Sequence, residues 1–464
     1  MSPFTLLNQY RFRWVSCQLD ALEKCLDPVT LRTALRSLPK NLDETYARIL
    51  KNLPREHEHH TIRLLQFLVY SERPLRINEA MDAIAVDLNE RPRFKPENRM
   101  PAPDEILSYC SSLAVRVERK AKHTEATIAE IQLAHFSVKD YLTSNHIEER
   151  IAQHFKETIA CSSIAEVCLA YLLELEKNLP LIEIRQSFFL AQYAARYWAS
   201  YAVIAERDGQ MDIGIMTEFI LDSSAHTICY QLYCPGEIRR ADIHKAPPIL
   251  DHVSHVGLSR CVRFLLDKGV DTHAQGGGYG NALQAASAKG HKEVVQLLLD
   301  AGADVNMQGK WYGNALQVAS IKGHKEVVQL LLDAGADVNM QGGWYGNALQ
   351  AASTQGHKEV VQLLLNAGAD THAQGGRYGN ALQAASTQGC INVVQLLLNA
   401  GANVNAQGGY YIYAIYAAAN EGHEKVIQLL LDAGADVKKT NRKKYEVFYE
   451  QLKLKKKKRF SRIS

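Results

Sequence analysis

Nowhere in these 464 residues does an apolar run reach the roughly 20 residues that a membrane-crossing helix requires. The most apolar stretch, 188–205, is interrupted by Gln192 and Arg196 and is rich in tyrosine, which suits a buried aromatic helix. There is no Asn-x-Ser/Thr sequon, and the N-terminal MSPFTLLNQYRFRW lacks the apolar core and small-residue cleavage site of a signal peptide. Nine cysteines stand at irregular spacing; an odd, scattered set argues for reduced thiols and against a disulfide framework. These absences point to a cytoplasmic protein without a membrane partner.

Catalytic signatures are missing as well. No G-x-x-x-x-G-K-[ST] loop is present to cradle phosphates, and no G-x-S-x-G elbow to present a nucleophile. The nearest approach to H-E-x-x-H is HEHHT, with Thr61 where the second ligand belongs, so His57, His59 and His60 are expected to hold no metal. The reading is therefore of a chain with no catalytic residue, no cofactor, no metal and no small-molecule substrate.

What the sequence does contain is repetition. GNALQAASAKGHKEVVQLLLDAGADVNMQG begins at Gly280, and near-copies begin at Gly313, Gly346 and Gly379. A fixed period of 33 residues marks a repeat architecture. Asn281 suits a helix N-cap, the small residues behind it a short helix, and Gly290 its end. From Lys292 to Ala301 a second helix carries apolar residues around too much of its circumference to face one partner. Such a pair buries its surface only by stacking on further copies.

These residues resemble the ankyrin repeat, including the Gly290-His291 turn and AGADVN. The family's T-P-L-H opening reads Asn281-Ala282-Leu283-Gln284 here. The resemblance implies that Asn caps in place of Thr and that Gln284 supplies the hydrogen bonds of His. Shifting the register adds a degenerate first repeat and a last one with Tyr413 at the cap, giving six repeats over 245–441. The turn histidines His291, His324, His357 and His423 lie one repeat apart, about 10 Å, too far to share an ion held at about 2 Å.

Upstream, apolar residues recur at helical spacing over 41–50, 62–69, from Asn78 and over 101–113. Val115 and Val117, then Ile131 and Leu133, alternate with polar neighbours as in a hairpin, and helices followed by a hairpin suggest a winged-helix unit. The 104–113 segment carries two acids and no base, so nucleic acid is not the expected partner. HFSVKDYL, 135–142, reads as a helix start in which Ser137 and Asp140 form a capping box and Phe136 and Tyr141 a hydrophobic staple.

FRWVSCQLDALEKC (12–25), LPKNLDETYARIL (38–50), SERPL (71–75), HFSVKDYL and YAARYW (193–198) resemble the region after the nucleotide-binding module in fungal NACHT proteins that end in ankyrin repeats, NLR-like proteins of the STAND type. In that family the winged helix belongs to the switch and the repeats act as sensor or scaffold. The P-loop module itself is missing from this sequence. The expected organisation is a helical segment over 1–59, a winged-helix-like domain over 60–150, a helical linker over 151–244, the repeats over 245–441 and a basic tail over 442–464. Residues 438–464 carry twelve Lys and Arg against two acids, a net of +10, which leaves −7 of the total +3 for residues 1–437. The run 455–459 admits a nuclear address or a disordered tail.

The expected fold is thus mainly α, a helical and winged-helix region followed by an ankyrin-repeat solenoid. The expected function is a non-enzymatic scaffold or sensor for a protein partner. The alternatives are the regulatory part of a NACHT ATPase, or a decayed fragment of one. Aligning the copies, positions 278, 311, 344, 377 and 410 read Gly, Trp, Trp, Arg, Tyr, while the next column is Tyr throughout. Aromatics and Arg anchor interfaces, so Trp311, Trp344, Arg377 and Tyr410 are the expected contacts, with Tyr312 and Tyr345 beside them. Ile321, Thr354 and Thr387 mark a second candidate surface on the inner helices.

Overall fold

The computed structural model describes residues 38–120, 127–209, 213–233, 246–309 and 311–436, with a few positions between 14 and 34. The basic tail and most of the 12–25 motif lie outside the described residues. The chain forms two compact units, residues 1–234 and 235–464.

In the first unit, the helix Leu42–Lys51 starts where Asn41 accepts the Glu44 backbone N–H at 2.8 Å and Glu44 accepts that of Lys40 at 2.8 Å. Its Tyr46 is fully buried. Arg55–Tyr70 follows and buries Leu64, Leu65 and Phe67. Strand β1 (Leu75–Arg76), the helix Ile77–Ala85, the short helix Ile106–Cys110, β2 (Ala114–Lys120) and β3 (Thr127–Leu133) complete a winged helix. Its sheet has the order β1-β3-β2, antiparallel throughout, with Leu75 opposite Ile131 and Arg116 also opposite Ile131. Beyond it, Glu157–Leu173 and Ala191–Glu206 pack on each other around Tyr171, Tyr193, Trp198 and Tyr201, all buried.

Three local expectations need correction. The third helix begins at Ile77, not Asn78, because Arg73 grips Glu79 through two bonds of 2.8 and 2.6 Å and Glu79 accepts the Arg76 backbone N–H. The 101–113 segment is one turn and a half of α-helix between two 3-10 turns. The hairpin read from 115–133 forms as β2 and β3, with Val115 39% exposed and Ile131 fully buried. In HFSVKDYL the cap is His135, whose ring accepts the Ser137 N–H at 3.2 Å. Phe136 lies beside that ring, 41% exposed, and is no staple. Ser137 is instead a joint, its hydroxyl 2.8 Å from Tyr46 Oη.

The second unit consists of six helix pairs: Ile249–Val256 with Ser259–Asp267, Ala282–Lys289 with Lys292–Asp300, Ala315–Lys322 with Lys325–Asp333, Ala348–Gln355 with Lys358–Asn366, Ala381–Thr387 with Ile391–Asn399, and Ala414–Asn420 with Glu424–Asp432. First helices pack on first helices and second on second, so apolar positions such as Leu316, Val328 and Leu331 are closed off by neighbouring copies. The sixth copy departs from the four before it. Tyr413 caps without a side-chain bond, and Ile412 holds a φ of 66° where those four have Gly, a conformation that strains a β-branched residue.

Candidate interaction surface

The loop between one repeat and the next is built from Gln and Gly. Gln317 accepts the Asn314 backbone N–H at 3.1 Å while Asn314 accepts that of Gln317 at 2.9 Å, a complete capping box. The same Gln317 donates through Nε2 to Met340 O at 2.8 Å and Gly346 O at 3.1 Å in the loop that follows. Gln284, Gln350 and Gln383 make equivalent donations. One residue therefore starts its own helix and fixes the next loop, which is the role that the sequence assigns to Gln in place of His.

Fixed in this way, successive loops lie against one another. A Cβ on Gly376 would stand 2.4 Å from Tyr345 C and O, so glycine is required for the approach. The tips join by backbone bonds: Trp344 N–H donates to Trp311 O at 3.0 Å and Arg377 N–H to Trp344 O at 3.1 Å. Side chains at these tips point outward, Trp311, Trp344 and Tyr410 being 43, 51 and 68% exposed. Arg377 lays its guanidinium over the Trp344 ring at 5.5 Å, a cation–π contact that holds both ready without hiding either.

The tyrosine column lies behind the tips. Tyr279 stacks on His255 at 5.5 Å and on Tyr312 at 5.4 Å. Tyr312 and Tyr345 are half-buried. Burial, then the nearby Tyr378 and Tyr312 hydroxyls, raises the Tyr345 pKa. These residues support the tips more than they project from the surface.

The second candidate surface does not exist as expected. Ile321 and Thr354 are buried, 6 and 5% exposed, and Thr354 and Thr387 turn their hydroxyls back to Gln350 O and Gln383 O. The exposed column is the next one: Lys289, Lys322, Gln355, Gln388 and Glu421. It flanks the tyrosines, with Gln388 Nε2 3.4 Å from Tyr378 Oη and Tyr411 donating to Glu421 at 2.8 Å. Sequence reading missed this column although it varies too, as Lys, Lys, Gln, Gln, Glu.

The turn histidines are structural. The His291, His324, His357 and His423 rings each pack on the turn glycine of the preceding repeat, and Nε2 lies 3.0–3.2 Å from a carbonyl there. The fifth repeat has Cys390 instead, which reaches only Gln388 O, at 3.9 Å. Asn306, Asn339 and Asn405 bridge to the next repeat by donating to Gly335 O, Gly368 O and Gly434 O, and by accepting from Asp337, Asp370 and Asp436. The fourth repeat has His372 in that place. The junction between the fourth and fifth repeats thus lacks both bridges, and its Gln350 to Gly379 bond is long, 3.4 Å.

In the first unit, polar side chains serve the interior. Asp82, fully buried, accepts from Arg99 at 2.6 and 3.1 Å, from Tyr171 Oη at 2.5 Å and from the Leu190 N–H at 3.2 Å. Arg91 and Arg93 line a cleft of about 340 Å³ with Leu88, Ile215 and Glu218. Both guanidinium groups hydrogen-bond Glu218 and hold its carboxyl down at about 2, and Glu166 lines the cleft as a second carboxylate, so the two charges of each sign balance. His59 Nε2 lies 3.2 Å from the Arg63 guanidinium. Burial and then that cation lower its pKa, an environment unfavourable to a metal ion. Among the described residues no His/Cys/Asp/Glu cluster has metal-site geometry, and no helix is long and apolar enough to cross a membrane.

Family models of known proteins agree with this architecture. The sequence model of ankyrin repeats (three copies) matches 249–342 and 348–441, and that of the GPI inositol-deacylase winged helix domain matches 54–154. The azaphilone pigments biosynthesis cluster protein L of Monascus ruber is 38% identical over 309 residues, 61% of this chain; the chain spans 64% of that relative's length. The crystal structure of the human ASB11 ankyrin repeat domain is 27% identical, covers 41% of this chain and 86% of its own, and has a TM-score of 0.38. The chain thus contains ankyrin repeats, together with a winged-helix domain that is similar to that of GPI inositol-deacylase.

Proposed function

We propose that the chain is a non-enzymatic scaffold or sensor that captures a protein partner on the loop tips of its repeats. The observation that carries this reading is the row Trp311, Trp344, Arg377, with Tyr410 beyond it. Two exposed indoles and a guanidinium are fixed by backbone bonds between repeats, and the repeat core does not need them. Large aromatic residues are costly on a surface unless a partner covers them. Tyr312 and Tyr345 form the rigid backing of this contact.

The upstream motifs support the NACHT-type reading. The Ser137–Tyr46 bond and the Lys139 Nζ to Val69 O bond at 2.9 Å tie HFSVKDYL to two earlier helices, as a rigid joint downstream of a switch would require. On this reading the chain transmits a signal for a nucleotide-binding module and does not itself hydrolyse ATP. Saturable micromolar binding of labelled ATP to the full chain would overturn it. The boundaries 1–59, 60–150, 151–244, 245–441 and 442–464 belong to the same proposal, as does a cytoplasmic location.

The test of the strip compares the wild-type chain with Trp311→Ala/Trp344→Ala as bait in an extract of the source organism. Partners recovered by the wild type should bind the double variant at least ~2 kcal/mol more weakly, with melting unchanged. Retention of every partner would place recognition elsewhere.

A further inference from the structure

The surface beside the tips is graded in charge. Lys289 in the second repeat and Lys322 in the third are exposed, and neither has a salt-bridge partner among the described residues. The equivalent positions in the fourth and fifth repeats are Gln355 and Gln388, and the sixth has Glu421. The tips carry the indoles of Trp311 and Trp344 on the third and fourth repeats and Arg377, its guanidinium laid over the Trp344 ring, on the fifth. From the second repeat to the fifth, this exposed column and the tip row contain no carboxylate. A strip of this kind distinguishes the two ends of a linear ligand.

We infer that the partner presents an extended, acidic-then-apolar segment that lies along the repeats in one direction. Its carboxylates sit over Lys289 and Lys322, its apolar side chains against Trp311 and Trp344, and its non-acidic end towards Glu421. Four repeats at about 10 Å each leave about 30 Å between first and last, which an extended chain rising about 3.3 Å per residue covers with about nine residues. Exposed lysines attract carboxylates at modest strength, weakened by salt, so the charges set direction and the indoles hold. This inference rests on the loop-tip reading above.

The probe is a phage-displayed library of random dodecapeptides selected on the immobilised full chain, followed by anisotropy measurements with the labelled winning peptides. Peptides with clustered Asp and Glu on one side of apolar residues should be enriched. Lys289→Glu/Lys322→Glu should weaken them roughly 5-fold or more at low salt, and peptides with Lys in place of the acids should regain binding to that variant. Trp311→Ala/Trp344→Ala should weaken them too, and melting midpoints check that each variant folds. Basic or uncharged winners, or acidic winners indifferent to the lysine reversal, overturn the acidic inference while leaving the tip strip standing if the tryptophan pair still matters. Winners that depend on the lysines but not on the tryptophans, or no enrichment at all, overturn both.

Discussion

Asp82 and Gln317 are both buried polar side chains that draw distant segments together, and they do so under different rules. Asp82 gathers a guanidinium, a phenol and a backbone N–H from three places in the first unit, and no other described residue there repeats the arrangement. Gln317 gathers two carbonyls and a helix start, and the same set recurs one period before and, with small losses, one and two periods after. A unique anchor concentrates risk at one residue. A repeated anchor spreads it, so that individual copies are free to drift and leave local weak points.

The sharpest test of this contrast is Asp82→Ala. It strands Arg99 and Tyr171 in the interior and should cost about 3–5 kcal/mol, read as a fall in the denaturation midpoint of the first unit with the repeats unaffected. Asp251 gives the next effect. It occupies the Gln position in the first repeat, and burial raises its pKa to about 8. Because its folded pKa lies above the unfolded value of 3.8, its contribution is complete below that value and is lost as pH rises through about 8. Melting of the solenoid should therefore fall between pH 5 and pH 9, and Asp251→Asn should flatten the profile; an unchanged slope would remove Asp251 as the cause.

Gln317→Ala should cost about 1–3 kcal/mol by leaving two carbonyls and a cap N–H unanswered. The corresponding change at Gln350, whose Oε1 has no partner and whose bond to the next repeat is already long, should cost measurably less. Equal losses would mean that position along the stack does not matter. The smallest effect runs the other way: Cys390→His restores the missing turn bond and should stabilise by about 0.5–1.5 kcal/mol, seen as a higher midpoint for the repeats.

The contrast also explains what could be read in advance. Repetition is visible in a single sequence, and Asn314, Gln317 and the turn glycines declare their roles because each is stated several times. Tips and tyrosines were separable for the same reason: one column varies and the other does not. The inner column was misplaced by one residue because variation alone does not distinguish a buried Ile321 from an exposed Lys322. In the first unit nothing marks Asp82 out from other acids, since its partners at 99, 171 and 190 are brought to it only by folding. His135 displaced Ser137 as the cap because Tyr46, some ninety positions earlier, takes the hydroxyl.

A stack of repeats behaves as a row of coupled elements whose neighbours stabilise one another, and between the fourth and fifth both the His and the Asn bridge are absent. Partly open molecules should therefore have a preferred form, with the first four repeats closed and the last two melted as a pair, in place of gradual fraying from the end. Cys390, half-buried at that junction, would take a thiol reagent in the open form, and its labelling rate would count how often the pair lets go.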